Sequence, residues 1–333
     1  MSNKKAPHKT EDVTMTDLLN QSIPLPVYDM SINARIKWQS HSLSNSGSNN
    51  SNRVEPRRQL LINNLTTDAI SGNILKHFHA SLVVEYFESA GIPVCKACAN
   101  RRSMRAAAIL TDCQPNLSTP QILQSCALCD THGFLVTAKA DDVDDNGKKR
   151  ERTFKHSLVE YAFALAIPDS FSEKLQTFSR SGGTKEQGQM IYKVPARSGV
   201  YSVCAAYHAA GVGVDTDRNE IVISAQNERR KRHQAILLAF RDQILHPLGA
   251  HTATMWPQLS GLEGAIAIRK SIGRAPTYSP LEDNYLAVLQ QLTTDDDCML
   301  FQFDSIVAFK QIADFLIDNS IPAFPPAANQ GQQ

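Results

Sequence analysis

One segment near the N-terminus constrains the fold most, because its side chains alternate strictly between apolar and polar. In YDMSINARIKW (28–38), even-numbered residues from Met30 to Trp38 are apolar, and odd-numbered residues from Asp29 to Lys37 are polar. A period of two is typical of a half-buried β-strand. The sequence therefore predicts a strand with one apolar face and one polar face that carries two cations.

A helical pattern begins at Asp68 and extends to about Ala90. Its apolar residues recur at helical spacing and are Ile70, Ile74, Leu75, Phe78, Leu82, Val83 and Tyr86. Asp68 or Ser71 can cap the start of the helix, and Gly91 followed by Pro93 closes its end. This segment is predicted as a surface helix packed on the sheet.

The rest of the chain continues the alternation of strands and helices. Strands are predicted within 132–139, 156–168 (where a short helix is an alternative), 190–213, 262–270 and 298–304. Helices are predicted within 221–249, ending at Pro247 and Gly249, and within 281–292 and 305–319. Without the insertions, the core order is strand, helix, strand, strand, helix, strand. This is the ferredoxin-like split βαβ arrangement, which RRM domains share. Many RNA-binding domains and many enzymes use it, so the arrangement alone does not decide function.

Composition and charge exclude several classes of protein. Among 333 residues, 34 Lys and Arg nearly balance 33 Asp and Glu, so any polyanion site must be built from local clusters. The N-terminal segment has no apolar run of a signal peptide, and no segment approaches the roughly 20 apolar residues of a membrane span. We expect a cytoplasmic protein without membrane contact, whose seven cysteines are free thiols or metal ligands rather than disulfides.

Two CxxC motifs, CKAC and CALC, suggest a structural zinc site. Their cysteines are Cys95, Cys98, Cys126 and Cys129, and 27 residues lie between the motifs. Cys113 or His132 could replace one ligand, and the alternative is two motifs packed as small hydrophobic residues. A zinc deaminase is disfavoured because no HxE motif precedes the first cysteine, and a redox role explains the second motif poorly.

Two further groups of residues point to a polyanion. The first comprises an arginine pair and the polar first turns of the predicted helix: Arg57, Arg58, Ser71, Asn73, Lys76 and His77. Free amides at a helix start can bind phosphate, and arginines add forked hydrogen bonds. The alternative is a capped helix beside a solvated charge pair.

The second group lies on a glycine-containing segment that is predicted as a hairpin. Its cations are Arg180, Lys185, Lys193 and Arg197, and the alternative is ordinary surface charge. Four more cations, at 229–232, fall around a helix, so at most half of them can face one ligand. The sequence contains no GxSxG, Walker A or strand-linked GxGxxG motif, so nothing supports a hydrolase or a kinase.

RRQLLINNLTTDAISGNILKHFHA, together with the later VPARSGVYS, closely resembles the DevR-type backbone subunits of type I CRISPR effector complexes (Cascade), the Cas-seven family. The resemblance covers about residues 30–90 and 130–270. It implies an α+β fold with an RRM-like palm, an inserted Cys-rich finger region and a β-hairpin thumb. The implied division is a disordered tail at 1–22, a palm at 23–93 and 132–320 with a thumb hairpin at 168–195, a zinc-binding insertion at 94–131, and a disordered tail at 321–333.

The resemblance also implies a function without enzymatic activity. Copies of such subunits stack head to tail along the guide RNA (crRNA), contact other Cascade subunits and present the guide for pairing with the target DNA strand. Arg57 and Arg58 match the basic positions before the helix. Its RNA-facing turns are matched by Ser71, Asn73, Lys76 and His77, and Arg197 lies where the chain returns to the palm. Such complexes serve antiviral defence or, in transposon-associated systems, integration.

Two alternatives remain open at this point. A type III-like backbone subunit would cleave target RNA with a loop aspartate and a divalent metal, for which Asp68 or Asp141 could be proposed. A zinc-containing regulator would bind DNA in a sequence-dependent way without guide RNA.

Overall fold

The computed structural model describes residues 23–43, 59–62, 64–101, 105, 117–136, 153–180, 190–249 and 251–325. The strands are β1 (Leu25–Val27), β2 (Asp29–His41), β3 (Gln59–Ile62), β4 (Leu65–Ile70), β5 (Phe134–Val136), β6 (Thr153–Lys155), β7 (Val159–Tyr161), β8 (Ala164–Ala166), β9 (Ser172–Arg180), β10 (Met190–Tyr207), β11 (Val214–Asp215), β12 (Glu220–Ile221), β13 (Gln258–Arg269), β14 (Cys298–Phe303) and β15 (Ser320–Pro322). The helices are α1 (Gly72–Ser89), α2 (Lys96–Ala99), α3 (Thr119–Ser125), α4 (Ala127–His132), α5 (Gln226–Leu245), α6 (Tyr285–Leu292) and α7 (Ile306–Asn319), with 3₁₀ turns at Pro168–Ser170 and Ala209–Gly211. The predicted mixed α+β class is confirmed.

One large sheet organises the chain, with the strand order β14-β13-β2-β10-β8-β4-β3. Strands β7 and β9 also pair with β10. β2 is antiparallel to both β10 and β13, and β8 is antiparallel to β10. Because α1 precedes β8 and α5 lies between β10 and β13 in sequence, the four central strands have the order of two interleaved βαβ units.

The apolar face of β2 forms the centre of the core. Ile32, Ile36 and Trp38 are buried there. They line one enclosed region together with Leu75 of α1 and Phe240 of α5. Burial of large apolar side chains is the main force that holds these two helices against the sheet.

The opposite face of β2 is also covered along its first half, although the alternation predicts exposure. Ser31 donates a hydrogen bond to the carbonyl of Pro276, and the amide of Tyr278 donates to Asn33 Oδ1 at 3.2 Å. Arg35 Nε donates to the carbonyl of Pro280 at 2.7 Å. A distant polar segment thus satisfies the polar side chains of β2, and this part of the sheet presents no open platform.

Helix α1 begins four residues later than the predicted boundary, because Asp68 belongs to β4. Ser71 is the N-cap, and its Oγ accepts a hydrogen bond from the amide of Ile74 at 3.3 Å. The helix ends before Gly91, whose φ of 66° is in the left-handed region. The expected end of the helix is therefore correct.

The buried side of α1 is rotated relative to the predicted apolar stripe. Fully buried positions include Leu75, His79 and Val83, whereas Phe78 and Leu82 are only partly buried. His79 is accommodated inside because its Nδ1 lies 3.0 Å from His132 Nε2 and its Nε2 lies 3.3 Å from a backbone carbonyl. A buried polar residue of this kind is invisible to an apolar periodicity.

The predicted strand at 156–168 is two short strands, β7 and β8. β9 and β10 pair antiparallel from Ser172 opposite Ser198 to Arg180 opposite Met190. Residues 181–189, between them, lie outside the described residues. Among the described helices, none combines the length and the apolarity that a membrane span requires.

A buried ionic cluster joins the Cys-rich insertion to β6 and to α5. Asp130 of α4 accepts hydrogen bonds from Lys155 of β6, from Arg232 of α5 at 2.8 Å and from the amide of Gly213 at 2.9 Å. Burial alone would raise the pKa of Asp130, but the charges of Lys155 and Arg232 outweigh it and hold the pKa below its usual value. The insertion is therefore fixed relative to β6 and to α5.

Candidate metal centre and basic cleft

The four cysteines of the two CxxC motifs meet at one point. The Sγ atoms of Cys95, Cys98, Cys126 and Cys129 all lie within 4.8 Å of one another. In each motif the first cysteine is the N-cap of a short helix, α2 or α4, and the helical turn brings the second cysteine onto the same side. Two local turns are thus enough to orient all four sulfur atoms.

The geometry and chemistry of this cluster fit a metal ion. With Zn–S bonds of about 2.3 Å, a tetrahedral site places its sulfur atoms about 3.8 Å apart. Cys98 Sγ and Cys129 Sγ are 3.7 Å apart. Hydrogen bonds among the four neighbouring thiols lower the pKa of Cys95 and of Cys126 and raise the pKa of Cys98 and of Cys129. Thiolates are the form that binds metal.

The two substitute ligands are placed differently. His132 is not part of the cluster, since its Nε2 faces His79 and its Nδ1 lies 3.1 Å from Thr131 Oγ1. Cys113 lies outside the described residues. Among the described residues, the four cysteines of the two motifs are the cluster that could hold a metal ion.

The residues of the predicted phosphate cradle are only partly described. Arg57 and Arg58 lie outside the described residues. Ser71 is 5% exposed and acts as the helix cap, whereas Asn73 and His77 are exposed. The first turns of α1 therefore present part of the predicted polar surface, and Ser71 has a structural task there.

The start of α1 at Gly72 packs too closely against the backbone of β7 for any side chain to fit. A Cβ atom at this position would overlap the backbone carbonyl oxygen of Tyr161 in β7. The small residue at the start of α1 thus permits the approach of the helix to the sheet edge, independently of any ligand.

The predicted hairpin cations also differ from one another. Lys185 lies outside the described residues, Arg180 ends β9 opposite Met190, and Lys193 is an exposed residue of β10. The side chain of Arg197 is fully buried, with its Nε 3.3 Å from Asp68 Oδ1. The structure thus places Arg197 inside the protein rather than on a surface that faces a ligand.

Arg197 belongs to a buried polar cluster at the end of β2. Tyr201 donates a hydrogen bond of 2.8 Å to Asp68 Oδ2, and Glu173 lies 3.6 Å from Arg197 Nε. Burial and, secondarily, the charge of Arg197 lower the pKa of His41 to about 3. Asp68 is inaccessible in this cluster, which disfavours it as a catalytic aspartate.

A basic cleft runs beside the first turns of α1. Of its residues, Lys76 was predicted from the sequence, whereas Arg105, Phe154 and His156 were not. Lys76 lines a cavity of about 370 Å³ together with Arg105, Phe154 and His156. Burial and the nearby charge of Arg105 lower the pKa of Lys76, and Glu160 partly offsets this effect. We call this cavity the Lys76 cleft.

A larger cavity of about 790 Å³ adjoins the Lys76 cleft and shares Lys76 with it. Its wall includes Arg274 and His208, which buried Asp29 orients. Arg274 Nη1 donates to Asp29 Oδ2 at 3.0 Å, and His208 Nδ1 lies 2.6 Å from the same oxygen. His208 Nε2 also lies 3.3 Å from Glu160.

Residues 32–289, from β2 to α6, match the model of a family described as "CRISPR-associated negative auto-regulator DevR/Csa2". The chain belongs to the DevR/Csa2 family. The match includes the central strands, both CxxC motifs and most of the two cavities. The family expected from the sequence motifs is thereby confirmed.

Individual relatives of this DevR/Csa2 protein are distant. A CRISPR-associated protein Cas7/Cst2/DevR of Methanocaldococcus jannaschii is 24% identical over 270 residues, which are 71% of this chain and 79% of that protein. Two solved structures, described as a CRISPR RNA-guided surveillance complex and the same kind of complex before nicking, align with a TM-score of 0.46 and 11% identity. They cover 87% of this chain and 98% and 99% of theirs.

Proposed function

We propose that this DevR/Csa2 protein is a non-enzymatic backbone subunit of a CRISPR effector complex that binds the sugar-phosphate backbone of the guide RNA. Copies associate head to tail along the guide, contact other subunits of the complex and leave the guide bases free to pair with a target DNA strand. The observation that carries the proposal is the polar surface of α1, with Asn73 and His77 exposed and Lys76 directed into a basic cleft. The Cas7/Cst2/DevR name of the relative supports the same assignment.

In this proposal the central strands, the β9–β10 hairpin and the Cys-rich insertion correspond to the three regions of a backbone subunit. The interleaved central strands form the RRM-like palm, the β9–β10 hairpin is the thumb, and the Cys-rich insertion is the finger region. The covered face of β2 supports contacts to phosphates, because an RRM that reads sequence needs an open sheet on which bases stack. Contacts to phosphates position a nucleic acid without reading its sequence.

The Cys-rich insertion holds a structural zinc ion in this proposal. Zinc prefers four thiolates in a tetrahedron, and the four cysteines offer that donor set without an open position for a substrate. We expect about one zinc ion per chain by elemental analysis, and a lower thermal midpoint after chelation. Protein purified without chelators that contains no metal would contradict this part of the proposal.

Native mass spectrometry with single-stranded RNAs of graded length tests the function. We expect the number of bound copies to rise stepwise with RNA length, whatever the sequence, and the affinity to fall with added salt because phosphate contacts release counterions. One fixed stoichiometry at every length, or no binding, would refute the proposal. Incubation of guide-paired RNA with a divalent metal in the same samples tests for cleavage, which we do not expect.

The family description also names a negative auto-regulator. A regulator that binds DNA is therefore the second candidate. It requires discrete, sequence-dependent binding to duplex DNA in the absence of guide RNA, which a duplex-DNA arm of the same experiment detects.

A further inference from the structure

The Lys76 cleft holds two cations, and among the described residues no acidic side chain forms an ion pair with either of them. Among the described residues, no Asp or Glu lines this cavity, and no carboxylate lies within 4.0 Å of Lys76 or Arg105. Lys155 also lines it, but its charge is paired with buried Asp130. Two like charges that share a partly desolvated cavity repel each other, and an anion between them removes this penalty.

Arg105 is held in an orientation in which two of its nitrogen atoms have no acceptor among the described residues. Its Nη1 donates to the backbone carbonyls of His132 and, at 2.7 Å, of Gly133. No described residue accepts a hydrogen bond from its Nε or Nη2. A guanidinium with two adjacent free donors fits the oxygens of a phosphate.

The cysteine cluster determines where Arg105 lies. The two carbonyls that bind its guanidinium end α4, the helix that Cys126 caps and that contains Cys129. The backbone carbonyl of Arg105 itself lies 3.9 Å from Cys95 Sγ. A metal ion that fixes the four sulfur atoms therefore fixes both the backbone of Arg105 and the carbonyls that orient its side chain.

Aromatic rings adjoin the two cations. Phe154 and His156 line the same cavity, with ring centroids 5.4 Å apart in an edge-to-face arrangement. Base–aromatic stacking is a sequence-tolerant contribution to binding of single strands. A phosphate with an adjoining base, rather than an isolated anion, matches this combination of groups.

We propose that Lys76 and Arg105 form a phosphate-binding site for single-stranded RNA, that the adjoining base stacks on Phe154 or His156, and that the metal-bound cysteine cluster positions Arg105 for this contact. The proposal rests on the proposed function of the chain as an RNA-binding subunit. It adds a residue of the Cys-rich insertion to the RNA contacts and gives the metal site a task in binding as well as in folding.

The central experiment compares Arg105→Ala with Arg101→Ala in binding to one single-stranded RNA. Arg101 is a matched control, since it lies in the same insertion and pairs with Glu85 at 3.0 Å, away from the cleft. We expect Arg105→Ala and Lys76→Ala each to weaken binding about tenfold, because each removes a charge-assisted hydrogen bond. Each should also reduce the slope of log affinity against log salt by about 0.7.

Two further arms test the sign of the electrostatics and the link to the metal. Glu160→Gln should strengthen RNA binding about threefold, because this exposed carboxylate attracts Lys76 and repels phosphate. Removal of the metal with a chelator should weaken binding of the wild-type chain about as much as Arg105→Ala does, and should not weaken Arg105→Ala further.

The other possible outcomes contradict either the proposed Lys76–Arg105 site or the proposed function of the chain. If wild-type chain binds RNA while Arg105→Ala and Arg101→Ala behave alike, this proposal is wrong and the proposed function stands. If Arg105→Ala changes only self-association, the cleft binds an acidic protein segment and the proposal is again wrong. If wild-type chain does not bind RNA at all, the proposed function fails and this site fails with it.

Discussion

Replacement of Asp130 by Asn is expected to be among the most destabilising conservative changes in the insertion. Asp130 is fully buried and accepts hydrogen bonds from Lys155, Arg232 and the amide of Gly213. Asn has nearly the same volume and retains one acceptor oxygen, so the change removes charge with little change in packing. The ammonium of Lys155 then loses its buried ion-pair partner, and the guanidinium of Arg232 keeps only its partly exposed partner Glu228.

The size of the effect follows from that burial. Removal of one partner of a buried ion pair costs about 3–5 kcal/mol, and the retained acceptor places this variant near 3 kcal/mol. Glu228→Gln is the matched control, because Glu228 also accepts a hydrogen bond from Arg232, at 2.7 Å, yet its side chain is 44% exposed. Exposed pairs contribute about 0–1 kcal/mol.

Urea unfolding of metal-loaded protein, followed by circular dichroism, measures both variants. We expect a clearly lower urea midpoint for Asp130→Asn, a midpoint close to wild type for Glu228→Gln, and unchanged slopes for both. If the two variants lose the same small amount, below about 1 kcal/mol, the buried cluster does not hold the insertion in the way described, and the reasoning is refuted.

Three further predictions concern buried groups near the sheet. Arg197→Ala should lower the free energy of unfolding by about 3–5 kcal/mol, since it leaves the buried carboxylate of Asp68 without the cation beside it. Unchanged stability with reduced RNA affinity would instead support the predicted RNA contact. The free energy of unfolding should fall as the pH drops below about 6.5. Burial lowers the pKa of His41 and of His233 to about 3 in the folded chain, whereas histidines of the unfolded chain bind protons near pH 6.5. Equal urea midpoints at neutral and mildly acidic pH would contradict this. Gly72→Ala should cost about 1–3 kcal/mol, because the added Cβ overlaps a backbone carbonyl; a wild-type melting temperature would show that the helix start adjusts without strain.

Local patterns in the sequence predicted the elements that depend on local forces. The alternation at 28–38 predicted β2, and small or capping residues predicted the ends of α1 at Ser71 and Gly91. The two CxxC motifs predicted the metal cluster, because each motif orients its own pair of sulfur atoms through a single helical turn. In each case the pattern that made the prediction possible lies within a few residues. The meeting of the two motifs is the exception, since Cys98 and Cys129 are 31 residues apart along the chain.

Contacts between distant segments explain what the sequence did not predict. The polar face of β2 is buried because Ser31, Asn33 and Arg35 bind a segment about 245 residues further along the chain. The position of Arg105 in a basic run was its only recognisable feature in the sequence. Its orientation depends on the end of α4, whose residue His132 is 27 residues away along the chain. Periodicity in one segment carries no information about which distant segment will cover it.

The buried arginines of α5 show the same limit for charge. Arg229 and Arg232 were interpreted as cations spread around a helix, and both are fully buried. Arg229 donates to the carbonyl of Val212 at 2.8 Å and to that of Ala323 at 2.8 Å. A guanidinium has five donors in a fixed plane, so backbone carbonyls at chain turns can satisfy it inside a protein.

This division of the charges reconciles a formal net charge of +1 with the proposed binding of a polyanion. Asp130 and Asp68 form ion pairs with buried Arg232 and Arg197. These carboxylates therefore lower the net charge of the chain without weakening the positive potential at its surface. Lys76 and Arg105 remain as cations that face a cavity which, within the described residues, no carboxylate lines. The field that a ligand meets depends on which charges remain at the surface, and in this chain a near-neutral composition conceals a locally basic cleft.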